Sequence, residues 1–365
     1  MPDAVTTPIT VEVRTSSTVY PIEIAAGGTA ALPGLLDAVR APVRRFVVST
    51  AHVWELHGDA VSGVTQEEPI ILPDGERYKN VSTVMRIYDA LIKAAADRAS
   101  CIVALGGGVV GDMAGFAAAT FLRGVPVVQV PTTLLAQIDA AIGGKTGVNH
   151  PLGKNLIGAY HQPLAVVADP LLLATLPRRE FRAGLYEAIK YGVIASRPLF
   201  DRLSTDLPKL FARDAATLLP VVAECCRIKA DVVGRDERES GPRRALNFGH
   251  TAAHALEAVT KFRRFRHGEA VGYGMLVAAE LGVRRNVFTE EDRTAVAALI
   301  AKMGPLPPVG DLQVSELLQA IARDKKVVAG KLHFVLPTSI GSTSVATDVS
   351  TEELSDALVA IGARR

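Results

Sequence analysis

Five short runs in the first half of the chain are almost wholly apolar: residues 45–49 (RFVVS), 69–72 (PIIL), 101–105 (CIVAL), 126–130 (PVVQV) and 165–168 (AVVA). A strand with one wet face alternates polar and apolar positions. Continuous runs instead predict strands of a parallel sheet covered on both faces. From about Pro177 the pattern changes to a helical period, over 180–194, 215–233 and 251–260, with few strand-like runs. Pro177 and the basic pair Arg178 and Arg179 mark the change. We therefore expect an α/β domain over residues 1–178 with a mostly parallel sheet, and a mainly α-helical domain over 179–365. No repeat of 20–50 residues and no low-complexity segment interrupts this plan.

The run at 101–105 leads straight into Gly106, Gly107, Gly108, Val109, Val110 and Gly111, and then into an apolar helical stretch from Asp112 to Leu122. Strand, glycine turn and helix leave bare N–H groups aimed at an anion, and the helix N-terminus adds about half a positive charge. A tight βα turn without a ligand has the same sequence. The acidic residue that usually holds a ribose about 20 residues further on is absent, so a bound dinucleotide needs another adenosine-side contact. Asp74-Gly75-Glu76-Arg77-Tyr78-Lys79 follows a strand and offers both a carboxylate and an ammonium; as a solvated turn it would look no different.

Pro131-Thr132-Thr133 ends the next strand. A helical segment then carries Asp139 into Gly143-Gly144-Lys145-Thr146-Gly147, followed by Gly153-Lys154-Asn155. Lysines and an asparagine set among glycines can approach a phosphate or carboxylate with no Cβ in the way. The spacing is not that of a nucleotide-hydrolysing P-loop.

In the second half, Glu187 and Lys190 stand three apart and share a helix face. His250 and His254 stand four apart and do the same. Arg266-His267-Gly268-Glu269 follows. Two histidines and a carboxylate are the usual make-up of a catalytic metal site with an open position. The third ligand must come from far away in sequence, and Glu187 and His267 are the candidates. His-x-x-x-His without the acidic residue of His-Glu-x-x-His is not the metalloprotease helix. Lys229 and Arg243 flank the histidine segment beside otherwise apolar sequence.

Composition narrows the classes further. The chain has 365 residues, 40 Lys+Arg against 38 Asp+Glu, 48% hydrophobic and 5% aromatic residues. A net charge of +2 and few aromatics exclude nucleic acid as the main partner. No apolar run approaches the ~18 residues of a spanning helix, and Met1 to Thr10 has no signal-peptide pattern. Three cysteines, Cys101, Cys225 and Cys226, are odd in number and two are adjacent, which fits a reducing compartment. A cytoplasmic protein with neither membrane nor nucleic-acid partner is expected.

Read together, Gly-Gly-Gly-Val-Val-Gly-Asp at 106–112, Pro-Thr-Thr at 131–133, Gly-Gly-Lys-Thr-Gly at 143–147, Gly-Lys-Asn-Leu-Ile-Gly at 153–158, Glu-Ala-Ile-Lys-Tyr-Gly at 187–192, Asn-Phe-Gly-His-Thr-Ala-Ala-His at 247–254 and His-Gly-Glu-Ala at 267–270 closely resemble 3-dehydroquinate synthase, of the sugar phosphate cyclase superfamily. The motifs keep that family's order from about residue 74 to 330. The resemblance implies the dehydroquinate synthase-like fold, with a Rossmann-like NAD-binding domain and a helical metal-binding domain. It implies a carbon–oxygen lyase that turns 3-deoxy-D-arabino-heptulosonate 7-phosphate into 3-dehydroquinate and phosphate, the second step of the shikimate pathway to chorismate and aromatic amino acids. The route runs through transient oxidation at C5, phosphate elimination, re-reduction, ring opening and aldol closure.

The resemblance also assigns roles. Glu187, His250 and His267 are implied as ligands of one divalent metal, zinc or cobalt, with His254 as a substrate contact. NAD is implied over Gly107, Gly108, Val109, Val110, Gly111 and Asp112, with Asp74, Gly75, Glu76, Lys79, Thr132, Thr133, Lys145, Lys154, Leu172 and Thr175 contributing. Lys145, Asn155, Lys190, Lys229, Arg243, Asn247 and His254 are implied to bind the substrate, with Asp139 in the proton network and a lysine from Lys325 or Lys326. Arg123, in Phe-Leu-Arg-Gly, matches an arginine that reaches the neighbouring subunit's phosphate, which implies a homodimer. Ser49-Thr50-Ala51-His52 lacks the acidic residue of some relatives, so no adenosine contact is assigned there. Two other readings stand beside this one: a cyclase with a different sugar phosphate, against which Lys229 and Arg243 argue, and a metal-dependent polyol dehydrogenase, against which the lysine-rich stretch argues.

Overall fold

A computed structural model of the chain describes residues 8–239, 241–323, 327–328 and 331–365. They fall into two compact units, one of residues 1–177 with 212–238 and the other of 178–211 with 239–365.

The first unit is built on a seven-stranded sheet. Its strands are β1 (Ile9–Arg14), β2 (Val19–Ile24), β3 (Arg44–Thr50), β4 (Ile70–Leu72), β5 (Ser100–Gly106), β6 (Val127–Pro131) and, after a separate hairpin of β7 (Lys145–His150) and β8 (Gly153–Tyr160), β9 (Ala165–Ala168). The order is β1-β2-β9-β6-β5-β3-β4, and every pair except the antiparallel β1–β2 is parallel. All five apolar runs became the parallel strands. The reason is visible in β3 and β5: Phe46, Val48, Ile102 and Ala104 enter one core with Val84, Ile87 and Met113, while Val47, Val103 and Leu105 enter the other with Leu32, Leu36 and Val61. Both faces are covered, so no position along the strand is free to be polar.

Two elements escaped the apolar-run criterion. Strands β1 and β2 alternate buried and exposed residues, the pattern of an antiparallel edge pair with one wet face. The glycine-rich 143–158 stretch is a β-hairpin as well as a loop. Gly147 and Gly158 face each other there so closely that a Cβ on Gly158 would lie 2.2 Å from the Thr146 carbonyl oxygen.

The sheet reverses direction of growth between β3 and β5, since β4 lies outside β3 and β6 beyond β5. In doubly wound sheets ligands bind at the carboxyl ends of the strands at such a switch point. The glycine turn follows β5 at that position. Helix Gly108–Thr120 starts four residues earlier than its apolar stretch suggested, with Gly107 as N-cap, so Val109, Val110, Gly111 and Asp112 are its first turns and not a loop.

Helix Ala215–Arg235 belongs to the first unit, although a boundary at 178 assigned it to the helical domain. It lies along β1, where a Cβ on Gly234 would stand 2.6 Å from the Arg14 carbonyl oxygen. A boundary read from texture cannot show that a helical segment returns to the earlier layer.

The second unit carries helices Arg178–Ala195, Arg197–Thr205, Leu207–Phe211, His250–Val259, His267–Arg284, Glu290–Lys302, Val314–Ala322 and Thr351–Ala360. Its one longer strand pair is the antiparallel hairpin Phe334–Ser339 with Ser342–Ala346. Among the described residues no helix is long and apolar enough to cross a membrane.

One test of the backbone account needs no ligand. Gly34 is exposed inside helix Leu32–Ala38, and nothing lies within 4 Å of a Cβ added there. Gly34→Ala should raise unfolding stability by about 0.5–1 kcal/mol through the lost freedom of the unfolded chain. A urea midpoint unchanged or lower would contradict the assigned helix.

Candidate metal centre and nucleotide turn

In the second unit three helices each deliver one side chain to a common point. Glu187 comes from Arg178–Ala195, His250 starts His250–Val259 and His267 starts His267–Arg284. One potential ligand atom from each lies within 4.8 Å of the others. His250 Nε2 is 3.7 Å and His267 Nε2 3.6 Å from Glu187 Oε1.

The outer ring nitrogens settle what faces inward. His250 Nδ1 is 3.1 Å from the Phe248 carbonyl oxygen, and His267 Nδ1 is 3.5 Å from Glu257 Oε1. Both partners only accept, so each neutral ring carries its proton on Nδ1 and turns the Nε2 lone pair toward Glu187. Glu187 is fully buried, and its Oε1 accepts no hydrogen bond. The buried ammonium of Lys190 forms an ion pair with Oε2 at 2.5 Å, leaving Oε1 toward the two rings. Three acceptors thus converge on one point, an arrangement a cation stabilises.

Close backbone approaches hold the three helices. A Cβ on Gly268 would lie 2.0 Å from the Ala183 carbonyl oxygen, and one on Gly274 1.8 Å from that of Gly249. Gly249 itself, with φ of 77°, turns the chain into His250 in a conformation that side chains disfavour. His254 stands one turn on, its ring centroid 5.7 Å from that of His250 and 6.4 Å from that of His267, outside the three-residue group. Arg243 is buried on the preceding 3₁₀ turn, and Asn247 Nδ2 donates to Glu239 Oε1 at 2.7 Å.

The residues singled out in the first unit gather in two groups. Buried Lys79 donates to Asp112, and to Asn155 Oδ1 at 2.6 Å. Asn149 ties the same pieces together: its backbone N–H donates to the Lys79 carbonyl, its side chain donates to Glu76 Oε1, and its Oδ1 accepts from the Asn155 N–H. The 74–79 segment, the hairpin and the first turn of helix Gly108–Thr120 therefore form one polar cluster. Burial pushes the Asp112 carboxyl above its ordinary range while the Lys79 ammonium opposes the shift. In the second group Lys229 donates to Asp139, which sits on a π-turn over Ala136–Ala140.

Other assigned residues scatter more. Thr132 donates its N–H to the Gly106 carbonyl at 2.9 Å, and Thr133 Oγ1 caps the Ala136 N–H. Thr175 Oγ1 pairs with His57 Nε2 at 2.9 Å, and Leu172 is buried in the core. Asp74 and Arg123 are exposed. Lys325 and Lys326 lie outside the described residues. Sequence reasoning gave no role to Glu257 or Asn149; Glu257 is seven residues after His250, two turns along the same helix face, and that spacing was the available signal.

A doubly covered parallel sheet with a glycine turn at its switch point, in a chain that also carries an inward-facing two-histidine, one-carboxylate centre, places the protein among metal-dependent enzymes built on a nucleotide-binding α/β unit. Family models narrow this: residues 69–183 match the N-terminal part of 3-dehydroquinate synthase and residues 184–327 its C-terminal part. The 3-dehydroquinate synthase of a Synechococcus species is 47% identical over 356 residues, covering 94% of this chain and 96% of the relative. The chain belongs to the 3-dehydroquinate synthase family.

Among solved structures, 2-epi-5-epi-valiolone synthase from Streptomyces hygroscopicus with NAD+ and Zn2+ bound superimposes with a TM-score of 0.85 at 29% identity, over 94% of this chain and 96% of that one. A 2-deoxy-scyllo-inosose synthase complexed with carbaglucose-6-phosphate, NAD+ and Co2+ shares the fold, with a TM-score of 0.83 at 24% identity over 97% and 99% of the two chains.

Proposed function

We infer that this chain is a 3-dehydroquinate synthase, converting 3-deoxy-D-arabino-heptulosonate 7-phosphate to 3-dehydroquinate and phosphate in the pathway to chorismate. The observation that carries the reading is the Glu187–His250–His267 centre in a chain that matches a member of this family over 94% of its length. The identity of 47% to a dehydroquinate synthase against 29% to the valiolone synthase favours the carboxylate-bearing substrate over other sugar phosphates.

The residues present fit the two groups the reaction requires. Two Nε2 lone pairs and a buried carboxylate suit one divalent zinc or cobalt ion. No side chain hydrogen-bonds to the N-terminus of helix Gly108–Thr120, and a Cβ on Gly107 would stand only 3.0 Å from the Thr133 methyl, so the glycine turn leaves room for a pyrophosphate at the helix N–H groups. When bound, NAD+ supplies a reversible hydride acceptor for C5, and the metal polarises the C5 oxygen.

The chain's own residues supply the rest. Glu187, His250 and His267 hold the metal, and Lys190 balances the carboxylate from the outer side. Lys145, Lys229 and Arg243 are assigned to the substrate carboxylate, His254 and Asn247 to its phosphate, and Asn155 to its hydroxyls. Asp139 accepts from the Lys229 ammonium and holds it in place. Lys79, Asp112 and Asn155 fix the turn and the hairpin together, so the NAD contacts assigned to the 74–79 segment and the turn arrive as one unit. Fixing cations in this way favours the reactive conformer. The departing phosphate's own oxygen takes the C6 proton, so no separate base is assigned.

Two further assignments go with this reading. Leu122, Arg123 and Gly124 have φ of 49°, 69° and 125° in an exposed, strained turn; we assign Arg123 to the phosphate of a second copy, in a homodimer. Cys101, Cys225 and Cys226 are buried and in no disulfide, which suits a reducing cytoplasm.

The deciding experiment measures phosphate release from the heptulosonate phosphate. Release should need NAD+ and be lost after chelation and restored by Zn2+ or Co2+, with no net NADH. Stoichiometric NADH accumulation, or reduction of NAD+ by glycerol, would sink the reading.

A further inference from the structure

The metal centre depends on how the Glu187 helix, Arg178–Ala195, meets the start of the His267 helix, and a second buried carboxylate stands at that junction. Glu269 is fully buried, two residues after His267. Its Oε2 accepts the backbone N–H of Arg266 at 2.9 Å, closing the first turn of the His267 helix. Its remaining capacity goes to the other helix. Arg179 donates Nε to Oε1 at 2.8 Å and Nη2 to Oε2 at 2.6 Å, and Arg182 donates Nη2 to Oε1 at 2.7 Å. Arg179 Nη2 also reaches the Arg264 carbonyl oxygen at 2.9 Å, and Arg266 Nε pairs with Glu180 at 2.6 Å.

The first turn of one ligand helix therefore grips the whole segment 264–269 that leads into the other. Glu269 is bonded to both sides of the junction through three charge-assisted contacts and a backbone cap at once. Each of these is directional, and a paired fork of guanidinium and carboxylate fixes angle as well as distance. Glu187 lies about two turns beyond Arg179 and little more than one beyond Arg182 on the same helix, and His267 one residue from the capped N–H.

We propose that Glu269, clamped by Arg179 and Arg182, is a positioning residue that sets the distance between Glu187 and His267 and so tunes metal affinity, without touching metal or substrate. This rests on the metal reading above. Groups that orient metal ligands from behind typically change affinity about 10- to 100-fold when removed.

The test measures three things on the purified full chain: Co2+ affinity by competition with a chromophoric chelator, the visible Co2+ absorption band, and the urea midpoint without metal. Glu269→Gln and Arg179→Ala should each weaken Co2+ binding about 10- to 100-fold and shift the band. Arg179→Lys, which can reach one carboxylate oxygen but cannot form the fork, should fall between Arg179→Ala and the parent. The Arg179 side chain is 46% exposed, so its removal leaves a folded protein even if Glu269→Gln does not fold. A purely structural role would lower the urea midpoint and leave band and affinity in place. Affinity within twofold and an unshifted band in folded Arg179→Ala overturns the clamp. Failure of the parent chain to bind Co2+, or undiminished binding by Glu187→Gln, overturns the metal centre itself and the clamp with it.

Discussion

Glu187→Gln is expected to lower turnover by about 10³-fold and to abolish stable metal binding, because the Lewis-acid contribution of several kcal/mol disappears at about 1.4 kcal/mol per decade. The amide keeps the shape of the carboxylate but removes its charge, and an amide oxygen is a poor third ligand beside two neutral imidazoles. The change has a second consequence. Lys190 is 1% exposed and stands 2.5 Å from the carboxylate, so Glu187→Gln also removes the negative charge of a buried ion pair. Breaking one half of a buried pair costs about 3–5 kcal/mol, whereas replacing both halves with well-packed groups is often neutral. Glu187→Gln combined with Lys190→Met should therefore recover most of the lost stability and none of the metal. Urea unfolding and metal content separate the two effects. Recovery of metal in the double variant, or turnover within tenfold of the parent in Glu187→Gln, would show that the carboxylate is no ligand.

How much of this was legible beforehand follows from what each signal encodes. The five parallel strands were readable because burial on both faces leaves a continuous apolar run, and β5 is buried from Ser100 to Gly106. The metal group was readable only in part: spacing put His250 with His254 on one helix face and left Glu187 and His267 open as the third ligand, the full set came from the family resemblance, and the structure groups Glu187 with His250 and His267 while His254 stands outside. The β1–β2 hairpin was missed because only half of each strand is buried, which leaves no run. The membership of helix Ala215–Arg235 was missed because return of the chain to an earlier layer is set by tertiary contacts such as Gly234 against Arg14, which no local pattern carries. Glu269 was visible as a letter of the His-Gly-Glu-Ala motif but mute as to role. Its meaning comes from Arg179 and Arg182, about 90 positions earlier in sequence, and a salt-bridge partner at that separation has no periodicity to betray it.

The same junction makes Gly268→Ala a severely damaging small substitution in the second unit. The residue lies between His267 and Glu269, where an added Cβ would stand 2.0 Å from the Ala183 carbonyl oxygen, 2.6 Å from its carbon and 2.8 Å from its Cα. All three are backbone atoms of the Glu187 helix, so no rotamer change relieves the overlap. At Gly272, by contrast, the nearest obstruction is the Tyr186 ring at 3.0 Å, a side chain that can yield. Restoring ordinary contact at Gly268 requires the helices to part by roughly 1 Å, and overpacking of this kind costs on the order of 3 kcal/mol. Functional constellations tolerate about 0.5 Å, so His267 leaves Glu187 and the arginine forks on Glu269 stretch in the same motion. We expect Gly268→Ala to unfold at clearly lower urea and, where it remains folded, to bind Co2+ more weakly than Arg179→Ala, because it moves the backbone that Arg179 only braces. Gly272→Ala should fall well short of it on both measures. Equal midpoints and equal Co2+ affinities in Gly268→Ala and the parent would mean that the two helices can separate without cost, and that their close packing is not what brings Glu187 and His267 together.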